Sequence, residues 1–282
     1  MFASYPGKAV LSVTVLFTAL TTLSAIRAAG QEKKDSPADE RHQKFREEAA
    51  RYALARHDDR RLKLHPVPLM NWANPERTNN LGSIFVWELQ GRPMALGTVF
   101  RYEIRNVERW KLALHSLADG PLTARSEGGE VIWSPQIPGI ARQAFPETPA
   151  PADSPALRLV QMRALARQFQ VTLTDREGRE TPLRLLPQPV RRYASPESGI
   201  QDGAIFGWMV ATDPEAFLLV ELSDAGQWRY AFARFHFWKL RAELEGKAVW
   251  DAAEELDQAH NTMGAADFQS RVYSSMVIAP PP

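Results

Sequence analysis

The side chains with most to offer chemically are histidines that sit near hydroxyl or carboxylate groups. His115-Ser116 followed by Asp119 contains the residue types of a Ser-His-Asp hydrolase. Neighbours in a strand point to opposite faces, so His115 and Ser116 do not meet there, and the plainer reading is an ordinary strand histidine. His65 and His236 lie in or beside expected strands, and with a carboxylate such as Asp202 or Glu88 they would suit zinc or a His–carboxylate dyad. Nothing in the spacing requires either. A hydrolase reading therefore rests on His115 or His236 as base, with Asp202 or Glu88 as its partner.

Other motifs are missing. The chain contains no G-x-S-x-G elbow, phosphate-binding glycine loop, G-x-G-x-x-G, H-E-x-x-H or calcium loop. Asp175-Arg176-Glu177-Gly178 is acidic but lacks calcium-ligand spacing and reads as a turn. With no cysteine, thiolate catalysis, disulfides and Cys-based metal sites are excluded. No cofactor or metal is expected.

An internal repeat organises the rest. Residues 62–99 align without a gap on 183–220, at a spacing of 121, with 14 identities in 38 positions, where ordinary composition gives roughly two or three. Leu62-x-Leu64-x-Pro66-x-Pro68 falls on Leu183-x-Leu185-x-Pro187-x-Pro189, and Gly82-x-Ile84-Phe85-x-Trp87 falls on Gly203-x-Ile205-Phe206-x-Trp208. Trp110 pairs with Trp228 at a spacing of 118, and Trp133 with Trp250 at 117. Residues kept in both halves serve the shared scaffold. One-sided polar and aromatic residues are the better site candidates: Arg191, Arg192, Asp202, His236 and Trp238. Arg191-Arg192-Tyr193 offers two guanidiniums and a ring to an anion or a sugar, and Phe235-His236-Phe237-Trp238, read as a strand, offers an aromatic platform.

Ser36-Pro37 and Ser154-Pro155 are helix starts, an N-cap followed by proline. Leu159, Met162, Ala166 and Phe169 form an apolar stripe at helical spacing, with Arg158 assigned to the surface. Residues 37–56 give a weaker helix. Short β-branched and aromatic runs follow each helix, turning at Gly91-Arg92-Pro93 and Thr212-Asp213-Pro214. The expected fold class is thus α+β, two tandem helix-plus-antiparallel-sheet units packed as one pseudo-symmetric body. That element order is similar to the cystatin-like and NTF2-like arrangements, in order alone.

The expected division is a signal peptide at 1–30, unit 1 at 31–133, a proline-rich connection at 134–153, unit 2 at 154–250, and a last segment at 251–282 made of a capping helix (251–260) and a loose tail (274–282). The leader has Lys8, an apolar stretch from Ala9 to Ala25, and Ala28-Ala29-Gly30 before Gln31, the features of a cleaved export signal. Its residues carry two cations and no anion, so the remainder stands at −1 against +1 for the whole chain. So little net charge argues against nucleic acid as a partner. No second stretch is apolar enough to span a membrane.

Leu185-Leu186-Pro187-Gln188-Pro189, Asp202-Gly203-Ala204-Ile205-Phe206 and Thr212-Asp213-Pro214-Glu215 resemble a family of exported bacterial proteins to which no activity is attached. The resemblance spans about residues 60–250 and implies export without a reaction. The sequence points first to an envelope or extracellular protein that binds a small molecule, a glycan or an envelope protein between its two units. Secreted hydrolysis by a His–carboxylate pair is the alternative, and a scaffold that docks through the proline-rich 134–153 segment and the tail a third. The binding reading predicts a cleft between the units with one-sided residues facing it; a filled, flat interface would contradict it.

Overall fold

Strands dominate because apolar and aromatic residues recur in short runs between tight turns, and most of these runs have no solvent-facing side. The computed structural model describes Met1 and residues 37–74, 80–255 and 269–280. The expected leader, Ser36, Pro75-Glu76 and residues 256–260 of the expected capping helix lie outside the described residues, and Asp251 and Ala252, expected to open that helix, end a strand instead. Ser36–Pro282 forms one unit, separate from Met1–Asp35. In its first half α1 (Pro37–Ala50) precedes β1 (Ala53–Arg56), β2 (Lys63–Leu64), β3 (Met70–Asn74), β4 (Asn80–Leu89) and β5 (Arg92–Ile104). Then come β6 (Val107–Ser116), β7 (Leu122–Arg125) and β8 (Val131–Trp133), with β9 (Gln143–Ala144) in the connection. The second half runs α2 (Pro155–Ala166), β10 (Phe169–Thr174), β11 (Glu180–Pro182), β12 (Arg184–Leu185), β13 (Arg191–Ser195) and β14 (Ile200–Val210). It continues through β15 (Asp213–Ser223), β16 (Trp228–Arg234), β17 (Lys239–Leu244) and β18 (Lys247–Ala252), and β19 (Tyr273–Ile278) ends the described chain.

The α+β expectation, with its cystatin- or NTF2-like order, is overturned. Among the described residues there are two α-helices against four antiparallel sheets. Residues assigned to helix ends belong to strands: Ala53 opens β1, and Phe169 opens β10, whose Phe169, Val171 and Leu173 are buried in alternation. Positions three apart on a helix and two apart on a strand both place apolar groups inside, and tertiary pairing decided between them. Each large sheet is covered on its outer face by a second, smaller sheet, and the helix only helps to close that layer.

One large sheet has the order β19-β6-β5-β4-β2 with β3 also on β4; the other has β12-β14-β15-β16-β9 with β13 also on β14. Their registers coincide at the spacing of 121. Lys63 faces Glu88 as Arg184 faces Met209, and Met70 faces Ile84 as Arg191 faces Ile205. Both have a bulge where Pro93 or Pro214 meets the neighbouring strand, a place where proline's missing N–H removes no ladder bond. Trp72 lies opposite Gly82 and Tyr193 opposite Gly203; a Cβ on either glycine would stand about 2.7 Å from the ring.

Three cores result. Phe85, Trp87 and Leu112 of the first sheet pack with α1 and the β1-β7-β8 sheet. Phe206, Leu218 and Trp228 of the second pack with α2 and the β11-β10-β17-β18 sheet. Between the two large sheets, Ile84, Leu96, Ile205, Phe217 and Ala231 form the third. Each fully buried side chain of this size contributes about 1.5–3 kcal/mol.

Two segments tie the halves together. β9, from the connection, pairs with β16, and β19, from beyond the second half, pairs along Trp110–His115 of β6. Residues 273–278 therefore form a buried strand where a loose tail was expected. No helix among the described residues is long and apolar enough to cross a membrane.

Gly139 fixes the connection against the first sheet, because a Cβ there would lie 1.9 Å from the Ser116 carbonyl oxygen. Gly139→Ala should lower stability by about 1–3 kcal/mol through forced backbone displacement. Gly120→Ala, with nothing within 4 Å, is the control. Equal thermal midpoints for the two variants would show that the connection is not seated this way.

Candidate functional site

A cavity of about 280 Å³ opens at one end of the interface between the two large sheets. Trp72, Phe100 and Lys111 line it from the first sheet, Asp213 and Pro214 from β15, and residues 235–238 close it. Tyr273 and Ser275 of β19 complete the wall.

Residues 235–238 were expected to continue a strand, as alternating aromatics do. They instead form a corner between β16 and β17. Their carbonyls are satisfied outside any ladder. The Arg234 guanidinium donates to the carbonyls of His236 (2.8 Å) and Trp238 (2.9 Å), Tyr273 Oη donates to that of Phe235 (3.3 Å), and the Glu255 N–H to that of Phe237 (2.7 Å). Arg234 also donates to the Ala253 carbonyl at 2.7 Å and pairs with Glu255 at 3.1 Å, so the buried charge is held by neighbours on all sides. Within the corner the His236 ring stacks on Phe237 with centroids 4.3 Å apart, and its Nδ1 accepts the Trp238 N–H at 3.0 Å. The result is a rigid aromatic rim.

The first half has the same corner, built differently. At the spacing of 118, residues 117–121, Leu-Ala-Asp-Gly-Pro, stand where the second half has Phe-His-Phe-Trp-Lys. Arg142 from the connection fills the space beside it, donating to Asp119 (2.5 Å) and Glu221 (2.7 Å), while Tyr193 Oη donates to Glu221 at 2.7 Å. Glu221 corresponds to Phe100 and Tyr193 to Trp72, both cavity residues. Beside Tyr193 the first-half position is thus taken by an ion-paired arginine where its counterpart is an apolar cavity. Residues 118–121 border a separate, smaller cavity of about 200 Å³ with Arg56, His57 and Arg92.

Electrostatics inside the cavity follow from burial. Desolvation lowers the Lys111 ammonium from its ordinary value to about 8, and Nζ lies 5.6 Å from the centre of the Tyr102 ring. Desolvation likewise raises the Tyr273 phenol, so that it stays neutral and donates its proton.

Of the residues singled out in sequence, His236 and Trp238 meet at this cavity. Arg191, Arg192 and Asp202 do not line it. Arg191 forms a fork with Glu88 across the two sheets (2.9 and 3.2 Å), which occupies the carboxylate considered for a dyad. Asp202 accepts from Arg192 (2.6 and 3.0 Å) and from Arg158 (2.8 Å), joining α2 to the second sheet. Arg158, assigned to the surface, is buried as the third member of this cluster.

His115 is buried, and its Nδ1 donates to the Ser116 carbonyl at 2.7 Å; desolvation lowers its pKa to about 3. Ser116 Oγ accepts the Ala118 N–H, and Asp119 pairs with Arg92 and Arg142, so the three types suggestive of a hydrolase triad are each engaged elsewhere. His65 Nδ1 bonds the Val67 carbonyl. Among the described residues no three metal-ligating side chains converge. Lys111, Trp72, Phe100, Asp213 and Arg234 escaped the sequence reading, although Lys111, opposite Arg229, and Phe100, opposite Glu221, differ between halves and carried that signal. Comparison with protein families, with curated proteins and with solved structures finds no match for this chain.

Burial raises the Asp202 carboxyl, but the hydrogen bonds from Arg192 and Arg158 outweigh it and hold its pKa below the ordinary carboxylate value. Such a group stabilises the fold above its unfolded pKa and ceases to as pH falls through the folded value. His115 works in the same direction in a higher window: the unfolded chain takes up a proton below about pH 6.5, the folded one only near 3. Asp202→Asn should cost about 3 kcal/mol at neutral pH, since it leaves two guanidiniums without their anion. The deficit should shrink below about pH 4 in thermal melts, as the parent carboxylate protonates. A deficit unchanged down to pH 2.5 would contradict the assignment.

Proposed function

We propose that this is an exported protein that binds a small ring-bearing molecule in the cavity between its two large sheets. The observation that carries the reading is the difference between the two corners. A duplicated scaffold has one position filled by Arg142 and its carboxylates, and the other lined by Trp72, Phe100, Phe237 and Trp238 around a few polar groups. An apolar concavity with a small number of placed polar side chains is the usual form of a small-molecule site, and about 280 Å³ suits a ligand of one or two rings. Export rests on the leader pattern of residues 1–30 alone.

The chemistry of the walls favours a molecule with a flat or CH-rich face and at least one polar substituent. Trp72 and Trp238 supply stacking surfaces, while Lys111, Asp213 and His236 supply polar recognition at the rim. Asp202 and Glu88 lie in structural ion pairs, which favours binding over hydrolysis by the pairs considered from sequence.

Binding is measurable through the tryptophans. Single-ring alcohols, phenols and monosaccharides titrated into the protein should quench or shift tryptophan emission for at least one class. Trp238→Ala should weaken that class about tenfold, the effect of losing one stacking wall. Arg142→Ala, at the plugged corner, should leave the affinity within twofold. Equal loss in both variants, or no response to any class, would refute the site.

A further inference from the structure

An amine is an expensive side chain to place on an apolar wall. Lys111 is only 5 % exposed, and its cross-strand neighbours are Phe100 on β5 and Val277 on β19. The equivalent position of the second half is Arg229, an exposed side chain that donates to Gln227 and keeps its charge at any pH. The cavity half thus has, at that position, a cation able to give up its proton.

We propose that Lys111 is a nucleophilic amine, and that it condenses reversibly with an aldehyde or ketone group on the ligand held in this cavity. The inference rests on the binding reading above and names the ligand's reactive group. The Nζ lone pair forms a C–N bond to the carbonyl carbon while the π pair moves to oxygen, which takes a proton as nitrogen loses one. The carbinolamine C–O bond then breaks with a second proton transfer, releasing one water and leaving the imine. No oxidant or reductant is consumed. Groups able to carry a proton line the same cavity: Asp213 on β15, His236 in the corner, Tyr102 on β5, and Tyr273 with Ser275 on β19.

Desolvation makes the step accessible at neutral pH. With its pKa lowered to about 8, Lys111 holds on the order of a hundredfold more free amine at pH 7.5 than a solvated lysine.

The test pairs benzaldehyde with benzyl alcohol, which have the same ring but differ in the carbonyl. The purified protein is treated with benzaldehyde and cyanoborohydride at pH 7.5, and adducts are located by peptide mass spectrometry. The expected result is benzylation of Lys111 at least tenfold faster than of the exposed Lys63, Lys239 and Lys247, with a rate that rises to a plateau through about pH 8. Lys111→Arg should abolish the fast adduct, and Arg142→Ala should leave both the adduct and quenching by benzyl alcohol in place. Labelling spread over the exposed lysines while benzyl alcohol still quenches would overturn the imine and leave the binding site standing. Absence of both adduct and quenching would overturn the two together.

Discussion

Neither of the two large sheets keeps a face for water. Antiparallel sheets ordinarily bury one side and hydrate the other, and alternation in sequence reports which is which. Here each large sheet is covered outside by a small sheet and a helix and inside by the other large sheet, so β15 is buried along its whole length. Every polar group placed between the sheets must then find a partner or line a cavity. Arg191 with Glu88, Arg142 with Asp119 and Glu221, and Arg234 with the corner carbonyls are the partnered cases. Lys111, Asp213 and His236 line the cavity and are partnered too, Asp213 accepting from Asn74 and His236 from the Trp238 N–H.

The same constraint explains why the halves behave as one body. A sheet buried on both faces has only its edges left to lose, and these edges are exchanged: the connection supplies β9 to the second sheet, and the last described strand, β19, completes the first. β19 also contributes Tyr273, whose ring lies 5.6 Å from the Arg234 guanidinium and whose hydroxyl holds the Phe235 carbonyl. The strand that closes the first sheet thereby shapes the cavity rim of the second half.

The pairing of residues 121 apart was legible because it depends on local, gapless features: a ring opposite a glycine, a proline at a bulge, a tryptophan between core neighbours. His236 and Trp238, singled out because the other half lacks them, line the cavity. The fold class was not, since the small outer sheets are built from strands of three to six residues, such as β8 and β10, whose apolar spacing also fits a helix end. Arg158 read as surface because polar residues on a helix usually are, and its partner Asp202 lies 44 residues away. Lys111 and Asp213 were hidden by the doubly covered sheets, where a polar residue no longer marks the solvent side. Phe235 to Trp238 alternated like a strand, and only the hydrogen bonds of a buried arginine turn them into a corner.

The central claim is that a duplicated scaffold has plugged one corner and opened the other for a ring-bearing ligand. Crystals of the protein soaked with a set of single-ring fragments test it most directly. The account predicts fragment density against Trp72, Phe100 and Trp238, with the Arg142 corner empty. Fragments that bind elsewhere on the molecule and leave this cavity unoccupied would contradict it.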